Sequence, residues 1–191
     1  HTFFVDDIEF LPAAPAGTIS LAPAIMSANG YAMHIDLSWE KITDQNVHLV
    51  KIYRSENGTD FMPIGIQWPY LNRYADFTGK TGKPYTYKIS FLNVDYKETE
   101  LSSPKKVSTT PMTNDQLLTM VQEASFRYYW EGAEPVSGMA RENIPGRHNM
   151  IATGASGFGI MALIVGTERN FITREESANR FLKILGFLER A

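Results

Sequence analysis

The spacing of apolar residues changes period at Pro111. Upstream, apolar and polar residues alternate in short runs, as pleated strands demand; downstream, apolar residues recur every three or four positions, as helices demand. A chain that switches period in this way is predicted to form two folds in tandem, β first and then α. The basic residues change character at the same point. Residues 1–111 carry 8 Lys and 2 Arg, and residues 112–191 carry 1 Lys and 7 Arg. The predicted organisation is a terminal strand at 1–10, a linker at 11–17, a β-sandwich at 18–111 and a helical segment at 112–191. The linker holds two prolines, which favour an extended connector.

With 191 residues there is room for one large domain or two small ones. A net charge of −3 and the lack of a polybasic run argue against a nucleic-acid partner. No apolar run approaches the length of a membrane span. The longest, residues 160–165, is expected to be the buried face of a short helix. Cysteine is absent, which excludes disulfides, thiolate catalysis and cysteine zinc sites. No residue pattern calls for a cofactor or a metal. The chain opens on His1 and stops at Ala191 inside a helical pattern, so it is expected to be an excerpt of a longer polypeptide, and the missing remainder of its own chain is an expected partner.

In the first region, Ile35, Leu37 and Trp39 alternate with His34, Asp36 and Ser38. Further strands are predicted at 47–53, 61–66, 85–91 and 102–109, the last confined to an edge by Pro104. Glu56-Asn57-Gly58 is a hairpin signal. About seven strands without cysteine imply a sandwich. Trp68, Tyr70 and Tyr74 fall in a polar connection, where they either stack on sugar rings or pack against neighbouring structure. His34 and His48 lack spaced partners and read as solvated.

In the second region, Thr113-Asn-Asp-Gln116 and Thr173-Arg-Glu-Glu176 are capping boxes. The first opens a helix running to about Trp130. The second opens a helix expected to bury Ala178, Phe181, Leu182, Leu185 and Leu188. A middle helix is predicted over 154–168, with small residues at its start. The connection over 131–153 is long for a helix–helix link, and such links are usually functional or disordered. It carries Glu131, Glu134, Arg141, Glu142, Arg147 and His148. Carboxylates beside guanidinium groups bind sugar hydroxyls, act in acid–base chemistry, or form solvated ion pairs.

Seven stretches carry resemblances to known families. Ile-Asp-Leu-Ser-Trp-Glu (35–40), Lys-Ile-Tyr-Arg-Ser-Glu-Asn-Gly (51–58) and Gly-Lys-Pro-Tyr-Thr-Tyr-Lys-Ile (82–89) resemble strands and the tyrosine corner of fibronectin type III domains, with Tyr85 as the corner residue. Phe-Val-Asp-Asp-Ile-Glu-Phe (4–10) resembles the closing strand of jelly-roll carbohydrate-binding domains; an edge strand of the next domain is the alternative. In the second region, Ser-Phe-Arg-Tyr-Tyr-Trp-Glu-Gly-Ala-Glu-Pro-Val-Ser-Gly-Met-Ala-Arg-Glu (125–142), Ala-Thr-Gly-Ala-Ser-Gly-Phe-Gly-Ile-Met-Ala-Leu (152–163) and Gly-Thr-Glu-Arg-Asn-Phe-Ile-Thr-Arg-Glu-Glu (166–176) resemble the opening of the glucoamylase-like glycoside hydrolases.

That resemblance implies the first helices of an (α/α)6 barrel, of which about three are encoded. It implies a glucan as substrate and Trp130, Glu131, Arg141 and Glu142 as sugar contacts. Glu131 and Glu142 are the candidate catalytic carboxylates, with at least one catalytic carboxylate expected beyond Ala191. A periplasmic or cell-surface location is implied as well. The competing class is a noncatalytic carbohydrate-binding or adhesion protein. Paired acidic residues facing this loop from later helices would separate the two.

Overall fold

The computed structural model describes residues 17–144, 147 and 149–191. The predicted strand at 1–10, almost all of the linker, and His148 lie outside the described residues. The chain divides into two compact units, His1–Pro111 and Met112–Ala191.

The first unit is a fibronectin type III-like sandwich. Its strands are β1 (Ser27–Gly30), β2 (His34–Ser38), β3 (Leu49–Ser55), β4 (Met62–Gln67), β5 (Arg73–Phe77), β6 (Pro84–Leu92) and β7 (Lys105–Ser108). They form one sheet ordered β1-β2-β5 and another ordered β4-β3-β6-β7, antiparallel throughout. Alternation decides what is inside: Ile35, Leu37 and Trp39 from one sheet meet Val50, Ile52, Tyr87, Ile89 and Phe91 from the other, all buried. β1 and β5 go beyond the sequence reading. β1 is Ser-Ala-Asn-Gly, with no large apolar side chain to set a period. In β5 the inward positions are Tyr74 and Asp76, so its core face reads as polar; Tyr74 therefore belongs to a strand and not to the connection.

Those two residues tie the sheets together. The buried Asp76 carboxylate accepts from Arg54 Nη1 at 2.9 and 3.1 Å and from the Tyr87 hydroxyl at 2.6 Å, both from the opposite sheet. Burial and the adjacent Asp76 carboxylate push the Tyr87 pKa far up, so the hydroxyl remains a donor. The Tyr74 hydroxyl donates to the Ile64 carbonyl at 3.2 Å. A Cβ at Gly65 would collide with that hydroxyl, which is why only glycine fits there. Among the described residues, Tyr74 and Tyr87 bond by their hydroxyls across the sheets, and the expected corner residue Tyr85 contributes a buried ring beneath the Arg54 guanidinium.

The second unit holds α1 (Asn114–Trp130), α2 (Thr153–Glu168) and α3 (Arg174–Leu188). Both capping boxes are formed. Thr113 Oγ1 accepts from Gln116 N while the Gln116 side chain accepts from Thr113 N, and Thr173 and Glu176 repeat the arrangement. The core is small: Phe126, Met139, Leu163, Ile172 and Ile184. Gly166 lets the Phe126 ring lie directly on the α2 backbone, since a Cβ there would stand 2.4 Å from the ring.

The face that α3 buries differs from the expected one. Ser177, Phe181, Ile184 and Phe187 point inward, whereas Ala178, Leu182, Leu185 and Leu188 are exposed. In α2, of residues 160–165 only Leu163 is fully buried, with Ala162 partly so; Met161, Ile164 and Val165 are exposed. Both helices carry apolar side chains on two faces, and three helices supply neighbours for one. No helix among the described residues is long and apolar enough to cross a membrane.

Candidate functional site

α1 ends at Glu131, whose backbone N–H bonds Arg127 O at 2.8 Å and whose side chain is exposed. The chain then makes a tight turn around Glu134. That side chain, although buried, accepts from Val136 N at 3.0 Å, Ser137 N at 2.6 Å and Ser137 Oγ at 2.7 Å. Burial works against the carboxylate, but the Ser137 and Val136 bonds and the Arg141 charge outweigh it, holding its pKa below the ordinary range. Gly138 closes the turn at φ +75° with the Arg180 side chain pressed where a Cβ would stand, so both conformation and space require glycine.

The next segment is an excursion pinned at its neck. Arg141 and Ile151 form an isolated antiparallel bridge, and Glu142 N bonds Met150 O at 3.3 Å. The Tyr128 hydroxyl of α1 donates to Arg141 O at 2.6 Å and to Glu142 O at 3.2 Å. Arg141 and Glu142 are thus fixed side by side at the neck, Glu142 exposed and Arg141 half-buried. A carboxylate and a guanidinium held on a braced backbone are suited to binding neighbouring hydroxyls.

Trp130 sits differently. Its ring stacks on Phe126, with centroids 6.1 Å apart, and the Arg180 guanidinium lies 4.2 Å from its centroid. Arg180 Nη2 also donates to Trp130 O at 3.2 Å, and burial lowers the Arg180 pKa. The ring packs with the helical core, while Glu131 begins the loop beside it. Ser137 and Tyr128 are positioning residues that the sequence reading does not single out, and Glu134 appears there only as one of the loop's charged residues; the signal for its turn is a glutamate three residues before a Ser-Gly pair. Among the described residues, no group of His, Asp or Glu is arranged to hold a metal ion.

No family model matches the chain. It is 52% identical over 192 residues to the exo β-1,2-glucooligosaccharide sophorohydrolase (non-reducing end) of Parabacteroides distasonis, a match covering all of this chain and 27% of that protein. The crystal structure of a β-1,2-glucanase from the same organism superposes with a TM-score of 0.83 at 52% identity, covering 97% of this chain and 26% of that one. The chain is a homologue of a glycoside hydrolase. It spans about a quarter of the length of the curated relative it matches.

Proposed function

We propose that the chain is part of a glycoside hydrolase acting on β-1,2-linked glucans, in which α1 to α3 open an (α/α)6 barrel and the loop at 131–152 borders the sugar cleft. The observation that carries this reading is the 52% identity sustained along the whole chain with an enzyme named for β-1,2-glucooligosaccharides. The apolar faces left open on α2 and α3 support it, since further helices are what would cover them. Arg141 and Glu142 are the sugar contacts, with Glu131 and Trp130 beside them. Hydrolysis proceeds by a pair of carboxyl groups, an acid for the leaving oxygen and a base or nucleophile across the ring. Glu131 and Glu142 are the candidates within this chain, and at least one partner carboxylate lies outside it. A polymeric substrate fits a periplasmic or cell-surface location.

The test is incubation of the polypeptide that carries this chain with linear β-1,2-glucan and with α-1,4-glucan, following release of reducing ends. Release from the β-1,2-glucan is expected, and Arg141→Ala is expected to raise KM severalfold. Absence of both binding and cleavage with the β-1,2-glucan would sink the proposal.

A further inference from the structure

One end of the sandwich gathers aromatic rings that its core does not use. The antiparallel registers bring the ends of β2, β4 and β6 and the starts of β3 and β5 to this same end. Trp68 and Tyr70 lie on the β4–β5 turn, His48 just ahead of β3, and Tyr96 in the β6–β7 connection. Trp68 is 50% exposed, Tyr70 54% and Tyr96 66%. The Trp68 and Tyr70 rings are within 9° of parallel, with centroids 6.4 Å apart. His48 stands edge-on between Trp68 at 6.0 Å and Tyr96 at 6.1 Å.

The rings are carried on braced backbone. Leu71 N bonds Trp68 O at 3.0 Å across a turn with Pro69 at its second position. The Gln67 side chain accepts from Trp68 N and donates to Arg73 O, each at 3.0 Å, clamping both feet of that turn. The Asn93 side chain likewise accepts from Asp95 N at 3.0 Å and Lys97 N at 2.9 Å. It holds Tyr96 at φ +59°, a left-handed conformation that disfavours a tyrosine. Exposed aromatics on strained, hydrogen-bonded turns are pre-organised, so a ligand would not have to order them.

We propose that Trp68, Tyr70 and Tyr96 form a glucan-binding platform on the sandwich. A pyranose ring presents an apolar C–H face with hydroxyls at its rim, which matches rings that are half apolar contact and half wet. The exposed area of the three side chains is on the order of 400 Å², half of what one partner contributes to a standard protein interface. It suits a few sugar units better than a protein. The choice of glucan as occupant rests on the function proposed above.

The test is affinity electrophoresis of the 191-residue chain in gels containing linear β-1,2-glucan, with α-1,4-glucan in parallel. Retardation by the β-1,2-glucan is expected, weakened at least tenfold in Trp68→Ala and in Tyr70→Ala, and largely kept in Trp68→Phe. These rings are exposed, so circular dichroism should show both alanine variants folded. Retardation by α-1,4-glucan alone, lost in the same variants, would uphold the platform and overturn the β-1,2 reading. Retardation lost in Arg141→Ala but kept in Trp68→Ala would overturn the platform and leave the proposed function standing. No retardation of the unsubstituted chain overturns the platform.

Discussion

The two units solve the problem of apolar surface in opposite ways. In the sandwich, each sheet is the cover for the other, so Ile35, Leu37, Val50, Ile52 and Ile89 are sealed within about a hundred residues of chain. In the helical unit, α2 and α3 carry apolar side chains on two faces, and the three helices cover only one of them. Phe158 is 70% exposed and Leu182 67%, on helices whose other faces hold the core. A two-layer β fold is complete at this size. The helical unit leaves a second apolar face of α2 and α3 exposed.

The contrast predicts where a truncated side chain will matter. Ile52 is fully buried between the sheets, opposite Ile89 in the β3–β6 register. Ile52→Ala is expected to destabilise the sandwich by about 3–4 kcal/mol, lost transfer energy plus cavity. Urea unfolding followed by circular dichroism measures it, and a cost below about 1 kcal/mol would remove the distinction between the sealed unit and the open one.

A smaller effect sharpens the picture inside the helical unit, where order near the candidate site depends on one carboxylate. Glu134→Gln keeps the shape but weakens charge-assisted bonds to Ser137 and Val136, at an expected cost of about 1–2 kcal/mol. Because the folded pKa of Glu134 is depressed, its contribution is full above the ordinary glutamate value and fades as pH falls through the folded one. The stability of the unsubstituted chain should therefore drop on that acid limb more steeply than that of Glu134→Gln. Parallel limbs in thermal melts taken across the acid range would show that the turn is held by something else.

What the sequence made legible follows from which interactions are local. The capping boxes at Thr113 and Thr173 need only four residues each, and both form as read. The sequences of β2 and β6 alternate cleanly and are legible for the same reason, whereas β3 reads as a mixed pattern. β5 was not, because Tyr74 and Asp76 are inward-facing only by virtue of Ile64, Arg54 and Tyr87 on the opposite sheet. The inward face of α3 was misread because periodicity reports that Leu182, Leu185 and Leu188 share a face but not whether anything covers it. At the candidate site, the residue types of Arg141 and Glu142 were legible, whereas the brace from Tyr128 depends on an antiparallel bridge that no spacing announces.

The smallest expected effect tests the open side of the comparison most directly. Leu182 and Leu185 lie on the uncovered face of α3, so replacing both by Ser removes little that is packed. In the 191-residue chain, Leu182→Ser with Leu185→Ser is expected to change stability by less than about 0.5 kcal/mol per site, as for exposed positions generally. It should also reduce self-association, read by light scattering after gel filtration, because contiguous exposed apolar stripes are adhesive. In the longer polypeptide the same pair would face added helices, and each hydroxyl would then be buried in an apolar contact at a cost of about 2 kcal/mol or more. Equal, small effects in both contexts would mean that nothing covers this face, and the reading of α1 to α3 as the opening of a barrel would fail with it.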